Sequence, residues 1–184
     1  LTQCPTNLGT GMRASVMLHL PALSKKGAMR NLSTTVSKLG LTLRGSYGEG
    51  SEVSGDIYQL SNQVTLGISE KAALQNLTSI AMQIISQEKQ ARTLLVKDED
   101  FMDKICRAYG ILKSAYKLTS KELTNLLSYV SLGAAEGIIE VPLQKLCTLF
   151  IELQPATMNA SSQTPLTQAQ RDLLRAQKVR EALN

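Results

Sequence analysis

Tryptophan is missing from this 184-residue chain, histidine occurs once, and aromatic residues make up only 4% of it. With His19 as the only histidine, neither a Ser-His-Asp triad nor a histidine-built metal cluster is expected. His19 reads instead as a satisfied or surface residue of a strand. The scarcity of aromatics, with no dense run of Lys and Arg, argues against stacking on nucleic-acid bases. The three cysteines, Cys4, Cys106 and Cys147, are far apart and form no Cys-x-x-Cys pair. That spacing disfavours zinc and a disulfide framework and suits a reducing, cytoplasmic setting. Cys106 and Cys147 lie among apolar residues and read as inert core thiols. No apolar run approaches the roughly 18–20 residues of a membrane span, and no signal peptide is visible. The net charge of +5 is mild and spread along the chain, which suits solubility or an anionic ligand.

What is present is a change of periodicity along the chain. Val16, Leu18 and Leu20 alternate as a strand would, Met29, Leu32, Val36 and Leu39 fall at helical spacing closed by Gly40, and residues 41–44 alternate again. Residues 45–55, rich in Gly and Ser, read as a loop. Residues 56–60 and 63–66 suggest a hairpin turning at Ser61 and Asn62. Ser69 is a plausible N-cap for a long helix with an apolar stripe of Leu74, Leu77, Ile80, Ala81, Ile84 and Ile85, expected to pack across the sheet. Glu88 and Arg92 are spaced for an i,i+4 pair on its exposed side.

The charged residues Lys97, Asp98, Glu99 and Asp100 place a domain boundary, giving domains over 1–96 and 97–184. Beyond it the pattern is helical only. Phe101, Met102, Ile105 and Tyr109 form one face, ended by Gly110. Thr119 and Glu122 resemble a capping box, Pro142 opens a helix that ends before Pro155, residues 156–166 read as a linker, and Thr167 caps a last helix. The fold class is α+β: an antiparallel sheet with packed helices, followed by a small all-helical domain.

Three motifs carry chemistry. Cys4-Pro5-Thr6-Asn7-Leu8-Gly9-Thr10-Gly11-Met12-Arg13-Ala14 leads into the first strand, and Arg44-Gly45-Ser46-Tyr47-Gly48-Glu49 follows the second. Each puts a guanidinium where a strand meets a glycine-bearing loop, and the planar fork of arginine suits phosphate oxygens. Two such arginines on neighbouring strands suggest a phosphate clamp. Arg171-Asp172-Leu173-Leu174-Arg175-Ala176 sets two arginines four apart on one helix face. In this order the motifs resemble the ATP:guanido phosphotransferases, and within them the bacterial protein-arginine kinases (McsB family). Met17 stands where metabolite-phosphorylating members typically carry histidine.

The resemblance implies the C-terminal portion of a longer protein: the second half of a catalytic domain, then a regulatory helical domain. It implies transfer of the ATP γ-phosphoryl group to protein arginines, with Mg²⁺ held mainly through the nucleotide. Arg13, Ala14, Ser15, Val16 and Met17, with Arg44, Gly45, Ser46, Tyr47, Gly48 and Glu49, would bind nucleotide. Glu49 would also hold the substrate guanidinium, and Cys4 would tune the electrostatics beside it as a thiolate. Arg171 to Ala176 would form an allosteric phosphoarginine pocket. The partners implied are proteins with exposed arginines, an activator protein, a Clp unfoldase–protease, a heat-shock repressor and a second copy in a homodimer, with neither membrane nor nucleic acid. The segment alone is expected to lack full activity. Rival readings are a non-catalytic phosphoarginine-binding module and a metabolite guanido kinase.

Overall fold

The computed structural model describes residues 7–45 and 54–184. The chain divides into two compact units, Leu1–Ala91 and Arg92–Asn184. The division falls within a helix, ahead of the charged tetrad. Mixed α+β architecture is observed, with a three-stranded antiparallel sheet and eight helices among the described residues.

In the first unit, β1 (Ser15–His19), β2 (Leu41–Gly45) and β3 (Ile57–Asn62) form a sheet of order β1-β3-β2. Period-two alternation divides its side chains. Leu18, Leu41, Leu43, Tyr58 and Leu60 are buried on one face. Behind β2 packs α2 (Met29–Lys38), whose Val36 is buried. The α2 stripe ends one residue short of the expected set: Leu39 is exposed, and Gly40 turns the chain into β2 with φ +74°. Burial pushes the Tyr58 hydroxyl above the ordinary phenol range, while its hydrogen bond to Ser24 works in the other direction.

The hairpin expected at Ser61 and Asn62 is absent. Both residues lie in β3 and are buried, and residues 63–66 are not strand. A polar pair looks like a turn in sequence. Here it pairs on both sides, Ser61 with Ser15 and Thr42, and Asn62 with Leu41.

The long helix α3 (Glu70–Leu95) starts at Ser69, whose hydroxyl accepts from Ala72 N–H. Its inward stripe is Ala73, Leu77, Ile80, Ala81, Ile84, Glu88 and Ala91, so Leu74 faces out. Glu88 corrects another expectation, because it is only 2% exposed. Its two carboxylate oxygens accept from Ala22 N–H at 3.0 Å and Leu23 N–H at 2.9 Å, the open end of the short helix α1 (Pro21–Lys25). No side chain of α1's own cap residue does this. Glu88→Ala should therefore strand two buried amides and cost about 2–4 kcal/mol. Urea denaturation measures that loss, and a cost below about 0.5 kcal/mol would show that water replaces the carboxylate.

The second unit contains α4 (Glu99–Ser114), α5 (Ser120–Ala135), α6 (Leu143–Glu152), α7 (Pro155–Ala160) and α8 (Gln168–Leu183). Asp98 caps α4 and Thr119 caps α5, while Thr167 and Gln170 form a reciprocal capping box on α8. The core gathers Phe101, Ile105 and Leu112 of α4, Leu123 and Leu127 of α5, Leu146 of α6 and Val179 of α8.

Three expectations change in this unit. Helix α4 continues through Gly110 to Ser114, because a helix tolerates a glycine when packing on either side holds it. Residues 156–160 of the supposed linker are helical, within α7, anchored by buried Met158. Cys106 and Cys147 are exposed rather than core thiols. Each follows a buried residue, Ile105 or Leu146, and one helical step of about 100° turns it outward. Among the described residues no helix is long and apolar enough to cross a membrane.

Candidate functional site

The other face of the first unit's sheet is polar. Its rows follow from the strand register: Ser15–Ser61–Thr42, then Met17–Gln59–Arg44, then His19 beside Ile57. Met17 is 52% exposed, Arg44 and Gln59 are half-buried, and Ser61 is buried at the centre. Arg44 thus shares a face with Met17, at the same level of the sheet. Strands about 4.8 Å apart put their Cα atoms roughly 10 Å from each other.

Arg13 is exposed and lies two residues ahead of β1. The two arginines are not on neighbouring strands, as expected from sequence, since β3 separates β1 from β2. Any anion held by both would lie across the middle strand. Ser15 shares the polar face with Met17, whereas Val16 alternates toward the core face.

The segment carrying Arg13 is docked against the residues that end and follow β3. Thr10 N–H donates to Thr65 O at 3.0 Å. Gly9 approaches so closely that a Cβ there would lie 2.1 Å from the same oxygen, and its φ is +70°. Glycine is required at that position on both counts. Asn62 then grips Met12 and Ala14, the residues on either side of Arg13. Its Oδ1 accepts from Ala14 N–H at 2.7 Å, and its Nδ2 donates to Met12 O at 2.9 Å. Sequence reasoning missed Asn62 by treating it as a turn. Its place opposite Leu41 on the neighbouring strand was the only signal, and it needed the register.

Cys4, Ser46, Tyr47, Gly48 and Glu49 lie outside the described residues. Gly45 ends β2 on the core-facing side, in register with Tyr58. Among the described residues no three His, Cys, Asp or Glu side chains gather as a protein-built metal cage requires.

The sequence of the chain is similar to those of known proteins. A family model described as "ATP:guanido phosphotransferase, C-terminal catalytic domain" matches residues 1–91. A second, "Protein-arginine kinase McsB C-terminal domain", matches residues 98–184. The chain belongs to the protein-arginine kinase family. Among its relatives are proteins named protein-arginine kinase from Caldanaerobacter subterraneus subsp. tengcongensis, 48% identical over 100% of this chain and 55% of the relative, and from Clostridium kluyveri, 50% identical over 100% and 54%. A third, from Desulforamulus reducens, is 47% identical over 100% and 52%. The chain spans about half the length of the curated relatives it matches.

The third motif of this protein-arginine kinase family member lies on α8. Arg171 is half-buried and its Nη1 donates to Leu166 O. Asp172 and Arg175 form an ion pair at 2.6 Å. Arg175 is 1% exposed, and its guanidinium also donates to Leu118 O at 2.7 Å and to Leu153 O at 3.1 Å. Leu173 and Leu174 are half-buried, and Ala176 is fully buried. The two arginines are therefore in unequal settings: Arg175 holds the unit's interior together, and Arg171 stands nearer its surface.

Proposed function

We propose that the full-length protein containing this chain transfers the γ-phosphoryl group of ATP to arginine side chains of proteins. The observation that carries this reading is Arg44 in register with Met17 on the polar face of the sheet, with Arg13 fixed ahead of β1. ATP fits a face that offers guanidinium groups without an acidic side chain in its three rows. Arg13 and Arg44 would bind phosphate oxygens, with Ala14, Ser15, Val16, Met17, Gly45, Ser46, Tyr47, Gly48 and Glu49 completing the nucleotide segments. Mg²⁺, when bound, neutralises phosphate charge, and phosphate oxygens and water would hold it.

In this reading Glu49 hydrogen-bonds the substrate guanidinium and aligns its nitrogen, and the Cys4 thiolate adds negative charge beside it. Both act by positioning and electrostatics, since phosphoryl transfer asks for alignment more than covalent help. Residues 1–96 would be the second half of the catalytic domain. Residues 97–184 would regulate it, with Arg171, Asp172 and Arg175 at a phosphoarginine pocket. The setting is the bacterial cytoplasm, in stress response and protein quality control. The partners in this reading are an activator protein, a Clp unfoldase–protease, a heat-shock repressor and a second copy of the protein.

The test is phosphorylation of a protein substrate and of free arginine by the full-length protein with ATP and Mg²⁺. Acid-labile phosphate on the protein's arginines, with little on free arginine, is expected. The reverse preference would make it a metabolite guanido kinase, and no transfer to either would leave a binding module. Residues 1–184 alone should show little or no transfer.

A further inference from the structure

One side chain, that of Asn62, hydrogen-bonds the peptide groups on both sides of Arg13. We propose that Asn62 is a positioning residue for Arg13, setting the direction in which its guanidinium meets the ATP phosphates; this rests on the reading of Arg13 as a phosphate ligand. Asn62 is the last residue of β3 and is 8% exposed. The regular β1–β3 ladder ends at the Ser15–Ser61 pair. Beyond it Asn62 prolongs the pairing by two routes. Its main-chain N–H donates to Ala14 O at 3.2 Å, and its side-chain amide takes the N–H of Ala14 and the C=O of Met12. Its Nδ2 also donates to Val64 O at 3.3 Å, which ties the amide to the chain leaving the strand.

A primary amide suits this role because it carries a donor and an acceptor side by side. Aspartate would set an oxygen against the carbonyl oxygens of Met12 and Val64. Alanine would leave Ala14 N–H and Met12 C=O without this partner. The two peptide groups flanking Arg13 fix the direction of its Cα–Cβ bond, and a long side chain can satisfy a phosphate only from a limited range of such directions. Loss of Asn62 should not release the segment altogether, because Thr10 and Gly9 remain docked on Thr65. It should let the residues around Arg13 rock. A displacement of about 1 Å at a positioning group can cost on the order of 100-fold in rate.

The test is a double-mutant cycle in the full-length protein, with Asn62→Ala, Arg13→Ala and the pair. ATP affinity is read by calorimetry, kcat/KM with a protein substrate, and folding by thermal denaturation. Asn62→Ala should weaken ATP binding about tenfold and lower kcat/KM by about 10- to 100-fold. On the Arg13→Ala background the same change should alter either quantity by less than about twofold, because its effect passes through Arg13. If the two losses multiply instead, Asn62 supports the fold and does not position the arginine. Wild-type affinity and turnover in Asn62→Ala would overturn the proposal directly. Wild-type behaviour in Arg13→Ala alone would overturn the phosphate-ligand reading, and the proposal with it. If Asn62→Ala fails to fold, Asn62→Asp takes its place in the cycle: it keeps the side-chain volume and the acceptor for Ala14 N–H, and the same two outcomes decide.

Discussion

Replacing Arg175 by alanine should destabilise the second unit by about 3–5 kcal/mol. The guanidinium is among the largest fully buried side chains in the protein. It ties three places in the chain together: the carbonyl of Leu118 just ahead of α5, the carbonyl of Leu153 just after α6, and the carboxylate of Asp172 one turn back on α8. Alanine would leave two carbonyls without this donor, an acidic side chain without its cation, and a void of guanidinium size. Each loss is of a kind that costs stability, and they fall at one point. Lysine should recover only part, since one ammonium on a flexible stem cannot reproduce a planar fork. Urea denaturation of the full-length protein gives the measurement. A loss below about 1 kcal/mol would mean that the surrounding helices close over the site or that water enters it. The regulatory reading of α8 is consequently better tested at Arg171, whose hydrogen bond to Leu166 O is local. Loss of a phosphoarginine response in an Arg175 variant would not separate recognition from folding.

The second large effect concerns the sheet's polar face. In the full-length protein, Arg13→Ala and Arg44→Ala should each remove about 2–4 kcal/mol of transition-state stabilisation. That corresponds to about 30- to 900-fold in kcat/KM for ATP. Charge develops on the transferring phosphoryl oxygens, and preorganised donors aimed there do most for the rate. Arg44 is held by regular pairing to Gln59, and Arg13 by the docking of its segment on β3. Neither has to be ordered by the nucleotide from a free chain. Lysine at either position should rescue poorly, because it offers a point charge without the bidentate geometry. Steady-state kinetics with ATP as the varied substrate checks both. Turnover within about twofold of wild type in either alanine variant would remove that arginine from the phosphate site.

By itself, the sequence determined what is local or periodic. Alternation revealed β1 and β2, a stripe at helical spacing revealed α3, and the caps at Ser69, Thr119 and Thr167 marked helix starts, because each signal lies within a turn or two of chain. The α+β class and the family resemblance followed from these elements and three ordered motifs. The placement of polar residues depended on partners far away in the chain. Glu88 reads as an exposed helical acid until α1, more than sixty residues earlier, brings two amides to it. Asn62 reads as a turn until β1 and β2 pair on either side of β3. Arg175 reads as one of two arginines on a shared helix face until the residues just ahead of α5 and just after α6 present carbonyls to it. Burying such groups is costly unless the fold supplies matching hydrogen bonds, and only tertiary structure decides where those bonds are available.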